Sequence, residues 1–332
     1  MANYRINKVT LDNVAQLANV SKVTVSRAFS QPEKVNQTTL KRILDAAEKV
    51  GYVVNTAARN LRAKSSKTIG IVTPDLSNPF FSHLAKFMTE EAHQNGYDTL
   101  IFDSYESIHN EQNIIDKLIG YGVDAIILAV VSSEISYNPP YFKQLKILGI
   151  PVILLDRHIP DSPFSGVYID NIDCGIQVGR YLVNQKVKKV TIISGPKDSL
   201  VAQERVSGIK MILENYTNIE TIFADFLMNE AYLATVEHLK KANIPDYFVG
   251  CNNQISLGII KACIEKGLMP QKDFCLFSID EVSHANIYGF KFPCIVSDLN
   301  EIAWQAINMA LRRINEELST IGNVVVRGQL QI

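Results

Sequence analysis

Cysteine is scarce and unpatterned: the five, Cys174, Cys251, Cys263, Cys275 and Cys294, are odd in number, scattered and never arranged as CxxC. That argues against a disulfide framework or a zinc site and fits reduced core thiols. No apolar run reaches the roughly 18 residues a membrane span needs, and the polar start MANYRINK lacks the hydrophobic region of an export signal. A cytoplasmic protein with no membrane partner is expected. A glycine cradle for a nucleotide is also missing. The loop after the first predicted strand reads PDLSNPFF, and the close pair Gly120 and Gly122 precedes a strand instead of following one. The six histidines assemble no nucleophile, base and orienting group, so we expect no enzyme, no cofactor and no metal. Low-complexity segments are lacking, as is a heptad extension after Gly328, which argues against a tetramer built on a terminal coiled coil.

The composition that is present, 47% hydrophobic and 20% charged over 332 residues, is that of a globular chain long enough for two or three domains. A net charge of −1 conceals an asymmetry. Residues 1 to 67 hold 12 Lys or Arg against 4 Asp or Glu, giving +8, which leaves −9 for the rest. The basic segment is interleaved with helical apolar periodicity, so it reads as a folded polyanion-binding unit.

Within it, the stretch SKVTVSRAF, Ser21 to Phe29, separates into two faces at 100° per residue. Thr24, Val25, Ala28 and Phe29 share the packing arc; Lys22, Val23, Ser26 and Arg27 share the other. Lys and Arg can donate to guanine O6 and N7, Ser can reach a phosphate oxygen, and Val can meet a thymine methyl. Alone, the stretch is equally an ordinary basic surface helix; its surroundings decide. Thr10 can cap a preceding helix, Asn19 can end it in the left-handed region, and Ser21 can cap the next. Asn36 can cap a third helix carrying Leu40, Ile43, Leu44 and Ala47, with Gly51 as its left-handed stop. The short segment Asn55 to Lys67 is too short to be a stable helix alone.

The succession DNVAQLANVSKVTVSRAFS, followed by VGYVVNTAARNLRAKSSKTIGIVTPDLSNPFF, resembles the lactose-repressor (LacI/GalR) family of bacterial transcription regulators across essentially the whole chain. The usual glycine of the inter-helix turn is Asn19 here, and the usual proline before Asn55 is Val54. The resemblance implies that Lys22, Val23 and Arg27 read bases and that Thr24 and Ser26 contact the DNA backbone. It also implies that Asn55, Ala58 and Leu61 belong to a hinge helix that pairs across a homodimer and wedges into the minor groove. Small Ala57 and Ala58 would permit close helix approach, and an apolar wedge can kink DNA. The alternative is that Leu61 packs on the core.

From Thr68 onward, β-branched runs alternate with amphipathic segments. The expected strands are 68–73, 97–102, 124–130, 151–156, 188–194, 221–225, 247–251 and 274–279. This βαβ alternation predicts doubly wound parallel sheets in two lobes of periplasmic-binding-protein type, behind an all-α helix-turn-helix headpiece. The expected division is a headpiece at 1–54, a hinge and linker at 55–67, and a core at 68–332. Its first lobe would hold about 68–165 and 297–323, and its second about 166–296 and 324–332. CIVSD (294–298) and the segment from Glu301 to Leu318 are expected to return to the first lobe.

A ligand in open α/β sheets sits beyond the carboxyl ends of the strands. Asn78, Phe80, Phe81, Asp156, Arg157, Arg205, Asn252, Asp280 and Asp298 end or follow predicted strands and form a planar-donor, carboxylate and ring set suited to a sugar. The resemblance implies the same positions. Where the family has an Asn-Asp pair and a frequent glutamine, this chain has Asn252-Asn253 and Asp298, which leaves the effector's identity open. The expected function is an operator-binding repressor of carbohydrate-utilisation genes. Its partners would be pseudo-palindromic double-stranded DNA, a small-molecule effector, such as a sugar, and a second copy of the chain. Two readings stand beside it: a regulator of the same family answering to a non-sugar effector or a protein corepressor, and a stand-alone sugar-binding protein. The latter would have no use for the basic headpiece.

Overall fold

In the computed structural model, which describes residues 9–53, 65–132, 134, 137–241, 244–316 and 322–332, the chain divides between Ser66 and Lys67 into two units. The first contains α1 (Leu11–Ala18), α2 (Lys22–Ser30) and α3 (Gln37–Val50). Each boundary follows from a local signal. The Asn13 side chain accepts the Thr10 N–H at 2.9 Å, Ser21 accepts the Thr24 N–H at 3.2 Å, and Asn36 accepts the Thr38 N–H at 3.0 Å. Asn19 ends α1 at φ 50°, and Gly51 ends α3 at φ 64°. The three helices close over Val14, Ala18, Val25, Ala28, Ile43 and Ala47, where the alanines let short helices approach closely.

The second unit begins with β1 (Thr68–Thr73), α4 (Pro79–Gln94), β2 (Asp98–Asp103), α5 (Ile108–Tyr121), β3 (Ala125–Leu128), α6 (Tyr141–Leu148), β4 (Val152–Asp156) and β5 (Ser165–Ile169). It continues with α7 (Asn171–Asn184), β6 (Lys189–Ser194), α8 (Leu200–Leu213), β7 (Asn218–Phe223), α9 (Met228–Lys241), β8 (Tyr247–Gly250), α10 (Asn253–Glu265), β9 (Cys275–Ile279), α11 (Ser283–Ile287) and β10 (Cys294–Val296). It ends with α12 (Leu299–Ile314), β11 (Asn323–Val326) and β12 (Gln329–Gln331). Two sheets share one plan, ordered β11-β5-β4-β3-β1-β2 and β12-β10-β9-β8-β6-β7. The described pairings are parallel except β10 with β12. Interior strands such as β3 and β5 are buried at every residue, because helices cover both faces of a parallel sheet.

Four expectations are corrected. Ser165–Ile169, not anticipated as a strand, pairs with β4 and β11 in the first sheet, so the first crossing between lobes falls near 170 and not at 165. CIVSD does not return to the first lobe: Cys294 pairs with Ser278 and with Gln331, both in the second sheet. The return begins with α12, which packs on α4 and on β3 to β5. The last crossing lies between Val326 and Gln329, not at 323. The strand expected at 221–225 runs from Asn218 to Phe223. It is a sheet edge with alternating exposure, so its apolar signal is diluted. A strand of three to five residues carries too little periodicity to declare its partner, which only the sheet supplies. Among the described residues, no helix is long and apolar enough to cross a membrane.

Candidate functional site

In the first unit, α2 turns Val25 and Ala28 inward and leaves Lys22, Val23 and Arg27 exposed, with Thr24 and Ser26 half-buried. Val23 is 65% exposed, an apolar side chain that the fold holds out to solvent. Lys22 Nζ lies 2.8 Å from Asp12 Oδ2 at the start of α1, with both side chains exposed. A pair of that kind stabilises little, but it restricts where the ammonium points. The B-DNA major groove, about 12 Å wide, admits an α-helix. Asn55, Ala58 and Leu61, assigned by resemblance to the hinge, lie outside the described residues.

In the second unit, a recess opens at the carboxyl ends of both sheets, and Asn78, Phe80, Phe81, Arg157, Arg205, Asn252 and Asp280 all line it. Asn78 and Asn252 first serve as caps, accepting the N–H groups of Phe80 at 3.0 Å and Ile255 at 2.7 Å. They also tie the walls together. Asn253 Nδ2 donates to Asn78 Oδ1 across the lobes at 3.2 Å, and Asn252 Nδ2 donates to the Phe226 carbonyl at 3.0 Å. Phe80 and Phe81 meet edge to face with centroids 5.0 Å apart; Phe81 is buried, and Phe80 is half-buried.

Both arginines are buried and held. Arg157 forms a two-pronged ion pair with Glu106, lies near the Phe226 ring at 5.8 Å, and donates to the carbonyls of Val130 and Val131. The latter segment is fixed in turn by Glu111, whose carboxylate accepts the Val131 N–H at 2.7 Å and the phenols of Tyr137 and Tyr141 at 2.5 Å each. Burial raises the Glu111 carboxyl above its ordinary range, and those hydrogen bonds oppose the rise without cancelling it. Arg205 donates from Nε to Asn171 Oδ1 at 2.9 Å and from Nη1 to the Cys251 carbonyl at 2.5 Å. Its helix lies unusually close to α7: a Cβ at Gly175 would stand 2.3 Å from the Arg205 carbonyl oxygen.

Asp156 ends β4 and Asp280 directly follows β9, equivalent strands of the two sheets, and both are left-handed, at φ 63° and 66°. Burial raises the Asp156 carboxyl. It pushes Asp280 up to about 6, with nearby Arg205 opposing the rise and Asp156 adding to it. The remaining expected residue does not join the set. Asp298 is exposed, accepts the N–H groups of Asn300 and Glu301 at 3.0 Å as the cap of α12, and lines a different recess with Phe87 and Trp304. A residue just after a strand is also a residue just before a helix, and here the cap wins. Asp156, expected with Arg157 at the end of the fourth strand, lines it too. Asp75, Glu106, Val201, Phe226 and Leu227 complete the lining and were absent from the expected set. The strand-end rule that selected Asp280 reaches Asp75, Glu106 and Phe226.

Two family models match the chain: periplasmic binding protein domain over residues 69–318 and bacterial regulatory proteins, lacI family, over residues 10–55. The HTH-type transcriptional repressor CytR of Escherichia coli (strain K12) is 26% identical over 306 residues, covering 91% of this chain and 89% of the relative. The ribose operon repressor of Halalkalibacterium halodurans is 26% identical over 310 residues, covering 93% and 91%. A crystal structure of the lac repressor dimer bound to operator and the anti-inducer ONPF shares the fold at a TM-score of 0.85, with 21% identity and 98% of each chain covered.

Proposed function

The chain belongs to the lacI family of bacterial regulatory proteins, as a DNA-binding transcriptional repressor with a periplasmic-binding-protein-like domain, and from this premise we propose how it is controlled. It acts in the cytoplasm as a homodimer on a pseudo-palindromic operator, and a sugar or sugar derivative bound between the lobes sets its affinity for that operator. Lys22, Val23 and Arg27 read base edges in each half-site, Thr24 and Ser26 contact phosphates, and Asn55, Ala58 and Leu61 belong to the paired hinge segments. The target genes serve carbohydrate utilisation.

The observation that carries this reading is the recess itself. It brings eight of the nine expected side chains together at the ends of two like-ordered sheets. Carboxylates and amides there can accept or donate to hydroxyls, and Phe80 offers a ring to a sugar face. Because strands of both sheets end on it, a ligand held there couples the relative position of the lobes to whatever each lobe is attached to. Control requires that the ligand bind the operator-competent and operator-incompetent states with different affinity, since equal affinity shifts nothing.

The test is a thermal-shift screen over sugars, sugar phosphates and nucleosides, followed by operator titration with and without each hit. A hit that changes operator affinity about tenfold or more, a coupling of roughly 1.4 kcal/mol, and that loses its effect in Asp280→Ala, is the expected result. Hits that bind and leave operator affinity unchanged would overturn the control mechanism.

A further inference from the structure

Arg157 is well placed to hold an anionic ligand group in the recess, yet the paired Nη1 and Nη2 end of its guanidinium is already taken. Glu106 accepts from Nη2 at Oε1, 2.5 Å, and from Nη1 at Oε2, 2.7 Å, while the Val130 and Val131 carbonyls accept from Nη1 at 3.1 and 2.5 Å. The carboxylate is delivered by an uncommon turn. Tyr105 and Glu106 are consecutive non-glycine residues at φ 54° and 51°. The turn is pinned where the Tyr105 N–H donates to Asp103 Oδ1 at 2.7 Å and the Glu106 N–H donates to the Pro74 carbonyl at 2.8 Å. Left-handed backbone is disfavoured for residues with a Cβ, so two in succession concentrate strain at the point that presents Glu106 to Arg157.

The rest of the lining adds negative charge. Arg205 is engaged by Asn171 and the Cys251 carbonyl. The recess carries four carboxyl groups, on Asp75, Glu106, Asp156 and Asp280, against the two guanidinium groups.

We propose that Glu106 is a specificity-determining residue that occupies the anion seat of Arg157, so that the recess takes an uncharged, hydroxyl-rich ligand and rejects its phosphorylated or carboxylated counterpart. This rests on the recess being the effector site. A phosphate ester would have to displace Glu106 and strip its half-buried carboxylate of its partner, or else add its charge to the four acids already there. A neutral polyol faces neither cost, and the carboxylates accept from its hydroxyls. Glu106 thus acts as a repulsive element against a class of competitors that share the same sugar ring.

The test uses the full-length protein at constant ionic strength, titrated calorimetrically with inorganic phosphate and with ribose 5-phosphate up to about 10 mM, the weak-binding range. Wild type should show no saturable uptake of either. Glu106→Gln should gain saturable binding of at least one, by about tenfold or more over wild type, and the gain should disappear when Arg157→Met is added. In the sugar screen, every hit should be the neutral member of a neutral and phosphorylated pair. Saturable phosphate binding by wild type, a wild-type hit found only as its phosphate ester, or a Glu106→Gln protein that melts like wild type without gaining an anion would overturn the proposal. The wild-type titration and screen decide even if the variants fail to fold. Operator titration of the same preparations separates the two readings: loss of operator binding strikes at the regulator, whereas anion uptake strikes only at Glu106.

Discussion

Asp280 sits at the end of β9 with its carboxyl raised to about 6, against 3.8 for an unperturbed aspartate. The folded state therefore holds a proton that the unfolded chain has lost over that interval, so stability falls as pH rises from about 4 to 6. Above pH 6 the whole penalty is present. Asp280→Asn removes it, and its stability advantage over wild type should grow by about 2 kcal/mol between pH 4.5 and 7.5. Urea unfolding at the two pH values reads this directly, and an advantage independent of pH would contradict the assigned burial. For Arg27, exposed on α2, replacement by alanine should cost about 1 to 3 kcal/mol of operator affinity and relax base preference, measured by gel shift on operator and random duplexes. Which side chains of α2 face outward was legible in the sequence, because a 3.6-residue repeat fixes orientation locally. Glu106 was not, because its role depends on meeting Arg157, 51 positions away, at the tips of two strands.

At the level of elements, the position of Arg205 depends on how closely α7 and α8 cross. Gly175 leaves no room for a methyl group against the Arg205 carbonyl, and Gly208 leaves none against the Ile172 carbonyl, 2.2 Å from an ideal Cβ. Gly175→Ala must push the helices apart, at a cost of about 1 to 3 kcal/mol. It should also weaken binding of any ligand that touches Arg205, since the guanidinium moves with its helix. Denaturant unfolding together with ligand titration checks both effects; full affinity at reduced stability would show that Arg205 is not positioned by this crossing. Helix caps at Thr10, Ser21 and Asn36 and the left-handed stops at Asn19 and Gly51 could be read directly, because capping is a contact within a few residues. Strands β5 and β10 could not. SGVYI and CIV are too short to announce a sheet, and their membership is decided by partners far along the chain.

Over the whole molecule, the chain passes between the sheets after β5, after β10 and after β11, so three backbone segments join the lobes, and hinge motion about that junction is what the proposed control requires. The two-lobed plan was legible because parallel strands separated by helices admit few topologies. The places where the chain crosses were not, being set by which sheet edge is open when each short strand arrives. The central claim is that two copies of the α2 reader bind one operator. Selection of duplexes from a random-sequence library by the full-length protein tests it most directly. The account predicts enrichment of a pseudo-palindrome whose half-sites lose their preference in Arg27→Ala, with affinity falling steeply as salt rises. A library that returns no enriched sequence, or a single asymmetric site that Arg27→Ala binds as wild type does, would contradict it.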